Sequence, residues 1–169
     1  MKIRKENPEN LTGVLLLNRH LTVSAAESCS GGLISDLITN VAGSSGYFKG
    51  SVVAYSNEIK EKMLGVPAGV IKKFGAVSRE TAVLMAIGAR KICRSDIGVS
   101  TTGIAGPGGG TKKKPVGLVY VAVADKNHSA AHKFNFSGTR AQIKRKTALM
   151  ALDILRKFII KLPRMHTKK

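Results

Sequence analysis

The stretch "AAESCSGG", Ala25 to Gly32, puts an acid, two hydroxyls, a thiol and two glycines where an apolar run gives way to a helical pattern. A strand that enters a helix through such a turn presents free backbone N–H groups at the helix start, where the macrodipole also favours negative charge. Two readings of the turn stay open: Ser28 or Ser30 caps the helix, or Ser28 is a nucleophile beside an anion site. The GxSxG elbow of α/β-hydrolases is absent, because Glu27 and Cys29 flank Ser28. A serine nucleophile needs a base, and no histidine lies in any motif. Lys60 falls three residues after Asn57, which is suited to cap a helix. That places Lys60 in a first turn, where the dipole disfavours a cation and lowers its pKa. A neutral lysine serves as general base in Ser–Lys pairs; the plain alternative is an exposed helix lysine near Glu58 and Glu61.

The glycine run "GIAGPGGG", Gly103 to Gly110, follows a strand pattern and precedes lysines and another strand. A dinucleotide fingerprint or a P-loop must open a helix, and neither spacing is matched. The run permits close backbone approach to a ligand, with Thr101 and Thr102 offering hydroxyls at the strand end, or else forms a flexible surface loop. Arg140 in "FSGTR" opens the last helix as a fork for a carboxylate or phosphate.

The elements that position these residues follow from periodicity and caps. A helix is expected from about Pro8 to Arg19, with Leu11, Val14, Leu15 and Asn18 on one face. "LTVSAA" reads as a buried strand, and Gly31 to Thr39 as a helix stopped by the turn at Ala42 to Gly46. "YFKGSVVAYS" reads as a second strand, with Asn57 capping a helix over Glu58 to Leu64. Ser78 caps a helix to about Cys93, with Ala82, Met85, Ala86, Ala89 and Cys93 inward. "DIGVSTTG", "VGLVYVAVAD" and "SAAHKFNFS" are strands, the last two an antiparallel pair turning near Lys126 and Asn127; a helix from Thr139 to Leu162 ends the pattern. Helices interleaved with strands predict an α/β fold whose mixed sheet carries helices on both faces.

Composition sets the limits. One domain over 1–162 is expected, with a basic, disordered tail over 163–169. Of 169 residues, 43% are hydrophobic and 5% aromatic, which suits a compact core. The apolar run near the start is interrupted by Asn18, Arg19 and His20, so neither a membrane span nor a signal peptide is expected. Together with two cysteines that form no CxxC pair, this predicts a cytoplasmic protein. His128 and His132 lie four apart on a strand-like segment, a spacing that would join them at a metal only on a helix. With 28 Lys and Arg against 10 Asp and Glu the net charge is +18, so polyanions and small anions are attracted at low salt. Aromatics are not interleaved with the basic clusters, as base stacking would require. Nonspecific polyanion binding is therefore allowed, without a nucleic-acid motif.

Taken together, "AAESCSGG", "AGSSGYFKGSVVAYSNEIKEKMLGV", "GAVSRETAVLMAIGAR", "TGIAGPGGGTKKKPVGLVYVAVA" and "FSGTR" resemble, in order and approximate spacing, the C-terminal domain of CinA proteins. The resemblance runs from about Asn7 to Ile160. It implies a three-layer α/β/α sandwich, a homo-oligomer, and a stand-alone nicotinamide-nucleotide amidase without the second domain of longer relatives. The implied reaction converts nicotinamide mononucleotide and water to nicotinate mononucleotide and ammonia, in pyridine nucleotide recycling, with no metal or cofactor. By resemblance Ser28 matches the nucleophile, Lys60 the lysine of YSN-x-x-K and Tyr55 a third catalytic position. Thr102 and Arg140 match substrate positions; Ser30, Gly31, Gly32, Gly103 and Gly106 complete the expected binding set. The departure from the family pattern is Ser30, where threonine is usual. The alternative implied by the family's name is a competence- or damage-inducible accessory protein that binds DNA through its basic surface without turnover.

Overall fold

The computed structural model describes residues 7–163. Five strands form one sheet in the order β2-β1-β3-β4-β5: β1 Val23–Glu27, β2 Phe48–Val53, β3 Ile97–Gly103, β4 Leu118–Ala124 and β5 Ser129–Asn135. β1 is parallel to β2 and β3, while β4 runs antiparallel to β3 and β5. The helices are α1 Pro8–Asn18, α2 Leu33–Thr39, α3 Asn57–Lys62, α4 Ala68–Phe74, α5 Arg79–Cys93 and α6 Arg140–Lys161. The expected mixed sheet and α/β architecture are what is observed.

Strand alternation assigns the two faces. Val23, Ala25, Ile97, Val99, Val119, Val121 and Val123 join Leu16 of α1, Ile34 and Ile38 of α2, and Ile143, Leu152 and Leu155 of α6 in the larger core. The opposite face carries small residues, Ala26, Ala122 and Ala124, on which α5 lies through Ala82, Ala86 and Ala89. The sheet is thus a filling between α1, α2 and α6 on one side and α5 with α4 on the other.

Several local expectations are corrected. Ser56, not Asn57, caps α3: its Oγ accepts from Ile59 N at 3.2 Å, which frees the Asn57 side chain. α4 was not anticipated. The buried residues of α1 are Thr12, Gly13 and Leu16, whereas Val14 is 57% exposed; Thr12 tolerates burial because its hydroxyl donates to Pro8 O. The expected tail lies, beyond Pro163, outside the described residues. Among the described residues no helix is long and apolar enough to cross a membrane.

Candidate active site

β1 and β3 are neighbours whose onward connections leave in opposite directions, β1 toward β2 and β3 toward β4. Ligands of open α/β sheets bind beyond the carboxyl ends of strands at such a point. A cavity of about 210 Å³ lies there, lined by Ser28 after β1, Tyr55, Asn57 and Lys60 after β2, Ala76 and Val77 before α5, Thr102, Gly103 and Ala105 at the end of β3, and Arg140 of α6, with Cys29 completing it. Of the expected site residues, Ser28, Lys60, Tyr55, Thr102, Gly103 and Arg140 therefore meet around one space.

The two ends of the "ESCSGG" turn have separate fates. Glu27, fully buried, takes the parity of Val23 and Ala25 and points beneath α2. Its carboxylate accepts five hydrogen bonds, from Ser30 Oγ, Gly32 N, Ile34 N, Ser35 N and Ser35 Oγ, at 2.7 to 3.1 Å. The chain can fold back this tightly because Gly31 and Gly32 adopt φ of +61° and +96°. Glu27 thus fills the anion position at the start of α2, the position expected to receive a substrate anion. Ser30 is corrected with it: buried and shared between Glu27 and Thr101 Oγ1 at 2.6 Å, it holds the turn and does not line the cavity. Thr101 is buried in the same network. Gly32 N–H is consumed by Glu27, which leaves the N–H groups of Cys29, Ser30 and Gly31 without an acceptor among the described residues. Gly31 and Gly32 shape the turn but do not line the cavity.

Ser28 faces the other way. Its backbone N–H is fixed on Thr101 O at 3.0 Å, while its hydroxyl has no partner among the described residues and is half-buried at the cavity. Lys60 is 2% exposed, and its Nζ donates to Ala54 O at 2.8 Å, with Tyr55 O and Ser56 O farther off at 3.5 Å. No carboxylate pairs with it among the described residues. Burial lowers its pKa, opposed by the nearby Cys29 sulfur. The direction agrees with the expectation, but the leading cause is desolvation instead of the helix dipole. No hydrogen bond joins Ser28 to Lys60. Cys29 also lines the cavity, yet burial pushes its thiol up to about 12, so it stays protonated and unreactive near neutral pH.

The mouth is held by Arg140. Its Nη2 donates to Tyr55 Oη at 2.6 Å and its Nη1 to Gly106 O at 2.7 Å. Gly106 thus anchors the arginine through a carbonyl and is not itself in the lining. Thr102 Oγ1 donates to Ala76 O at 2.7 Å. Lys114, in the lysine cluster that follows the glycine run, donates to Phe74 O and Val77 O at 2.7 and 2.8 Å, so that cluster is tied to the segment between α4 and α5. Sequence reasoning missed Asn57 as a lining residue, having spent it as a cap, and missed Ala76, Val77 and Ala105, whose types carry no chemical signal. A second cavity, about 230 Å³, lies near Arg19, Asp96 and His128. Asp96 there is engaged by Thr22, and Arg19 by carbonyls near the end of α6.

Comparison with known proteins agrees with this architecture. A protein 56% identical over 151 residues, the CinA-like protein of Endomicrobium trichonymphae, aligns with 89% of this chain and 35% of its own length. A putative competence-damage inducible protein of Caldicellulosiruptor saccharolyticus is 51% identical over 94% of this chain and 38% of its own. The chain thus spans little more than a third of the length of these curated relatives. Among solved structures, the competence/damage inducible protein CihA of Agrobacterium tumefaciens superposes with a TM-score of 0.86 at 39% identity, over 95% of this chain and all of that one. The competence damage-inducible protein A of Klebsiella pneumoniae gives 0.89 at 27% identity, over 94% of this chain and 100% of that one. The family model for the CinA C-terminal domain matches residues 5–159, and the chain belongs to that family.

Proposed function

We propose that this domain is an amidohydrolase acting by acyl transfer, and that its substrate is nicotinamide mononucleotide. The observation that carries the reading is a buried lysine with no acid beside it, lining the same cavity as a serine hydroxyl with no partner. Fold maintenance accounts for neither, since a buried cation without a counter-ion is costly. As a neutral amine Lys60 still donates to Ala54 O and keeps its lone pair for the Ser28 proton.

In the first step Ser28 Oγ attacks the carboxamide carbon while Lys60 Nζ takes the hydroxyl proton. The oxyanion is received by unused N–H groups of the turn, with Cys29 N–H, next to the nucleophile, the leading donor. The C–N bond then breaks, Lys60 returns the proton to the leaving nitrogen, and ammonia departs from a serine ester. Lys60 next deprotonates water, whose oxygen attacks the ester carbon; the C–Oγ bond breaks and the proton passes to Ser28. The product is nicotinate mononucleotide. Tyr55 and Arg140, joined at 2.6 Å, form a wall that orients the substrate at the mouth.

The test is ammonia release from nicotinamide mononucleotide by wild type and Ser28→Ala assayed together. Turnover in the wild type that disappears in the variant supports the reading. Turnover by neither protein, with duplex DNA binding that weakens steeply with salt, would move the weight to a polyanion-binding role.

A further inference from the structure

Beside the cavity, on the α6 side, lies a wider depression of about 550 Å³ lined by Leu33, Arg140, Ala141, Lys144 and Arg145. Arg140 belongs to both spaces. The helix that carries these cations starts rigidly, since Thr139 and Gln142 close a reciprocal capping box at its first turn. Lys144 is half-buried, with its ammonium laid against the Ser28 turn: a methyl group on Gly31 would come within 3.2 Å of Lys144 Nζ.

Among the described residues no acidic side chain pairs with these charges. The ion pairs among the described residues are Lys62 with Glu58, His128 with Asp125, and Arg156 and Lys157 with Asp153. None includes Arg140, Lys144 or Arg145. Lys144 and Arg145 also make no side-chain hydrogen bond among the described residues, whereas neighbouring Lys146 binds Ser137 O at 2.7 Å. Arg140 and Lys144 stand at i and i+4, where like charges destabilise a helix. The helix start of α2 cannot take an anion, because Glu27 fills it.

We infer that the depression is the site for a phosphate monoester on the substrate, with Lys144 and Arg145 as its specificity-determining residues. The inference rests on the amidase reading of the adjoining cavity and extends it. The substrate class becomes a carboxamide joined through a spacer to a dianion, its amide at Ser28 and its phosphate on this shelf, with Arg140 between them. Three cations around one depression match a dianion, and charge-assisted hydrogen bonds are the strong class that such a group gains.

The experiment compares nicotinamide mononucleotide with nicotinamide riboside, the same amide without phosphate. Wild type, Lys144→Arg and the double variant Lys144→Ala/Arg145→Ala are assayed, with matched circular dichroism as the check on folding. The ratio of kcat/KM for mononucleotide over riboside should fall about 10- to 100-fold in the double variant, carried by KM, and remain largely intact in Lys144→Arg. Inorganic phosphate should compete with the mononucleotide in the wild type and more weakly in the double variant. An unchanged ratio, or equal slowing on both substrates, overturns the inference. If the wild type hydrolyses neither amide, the amidase reading fails by itself, and equilibrium binding of the same two compounds still decides the shelf. Loss of the mononucleotide's advantage in the double variant supports it, and equal advantage in both proteins overturns it.

Discussion

Glu27 and Ser28 are adjacent in the chain and occupy opposite kinds of polar surroundings. Around Glu27 every valence is used: a carboxylate with five donors, sealed between β1 and α2. Around Ser28 the valences are left open among the described residues: a hydroxyl without a partner, a buried lysine without an acid and turn N–H groups without acceptors. A saturated buried network makes a fold rigid, and an unsaturated one beside it is where a reacting molecule finds partners. Residue type alone left Ser28 open between a cap and a nucleophile and gave Glu27 no role. Completeness of hydrogen bonding separates the two: Glu27 holds the turn, and the Ser28 hydroxyl is left without a partner among the described residues.

The sharpest way to break the comparison is to delete one member of each network. Ser28→Ala should lower amide turnover by about 10³-fold or more, with thermal stability within roughly 0.5 kcal/mol of wild type. Glu27→Ala should do the reverse in stability, costing about 3 kcal/mol, since it strands the buried N–H of Ile34 and the half-buried N–H groups of Gly32 and Ser35; for this size of chain that is a drop of roughly 6 to 12 °C in melting temperature. Equal destabilisation by both variants in a melting experiment would erase the distinction.

A smaller effect concerns pH. Burial lowers the Lys60 pKa below its ordinary 10.5, and the base works when unprotonated. A pH–rate profile should therefore show kcat/KM rising through a limb whose midpoint lies below 10.5, a limb absent in Lys60→Met. Stability follows the same direction: the buried ammonium is unfavourable below its folded pKa, and that penalty is relieved as pH rises from there toward 10.5. The smallest change is expected from Cys29→Ala, with turnover within about tenfold of wild type; alkylation of Cys29 in the folded wild type should be slow near neutral pH.

Much of this was legible in the sequence where one signal dominated. The Ser78 cap, the antiparallel pair near Lys126 and the long α6 pattern starting near Thr139 each point one way, and each is found. The α1 face was not legible, because leucines lie on every side of it and the choice falls to tertiary packing. Gly13 marks the buried side, as its missing side chain makes room for the Tyr47 ring, whose Oη would lie 2.6 Å from a methyl there. α4 escaped notice because it is seven residues long, follows Pro67 and has no side-chain cap. In the site, Ser28 and Lys60 were picked by residue type and motif, but the role of Glu27 depends on distances between its carboxylate and amides up to eight residues away, which no local pattern encodes. The tie made by Lys114 was illegible for the same reason: its acceptors are 37 and 40 residues distant.

The central claim is that the open valence at Ser28 is the one that becomes covalently bonded. Wild type and Cys29→Ala should be mixed with nicotinamide mononucleotide, quenched in acid within the first turnover and mapped by peptide mass. The account predicts an acyl adduct on the peptide at Ser28 in both proteins and none in Ser28→Ala. An adduct on Cys29, or ammonia release by Ser28→Ala at the wild-type rate, would contradict it.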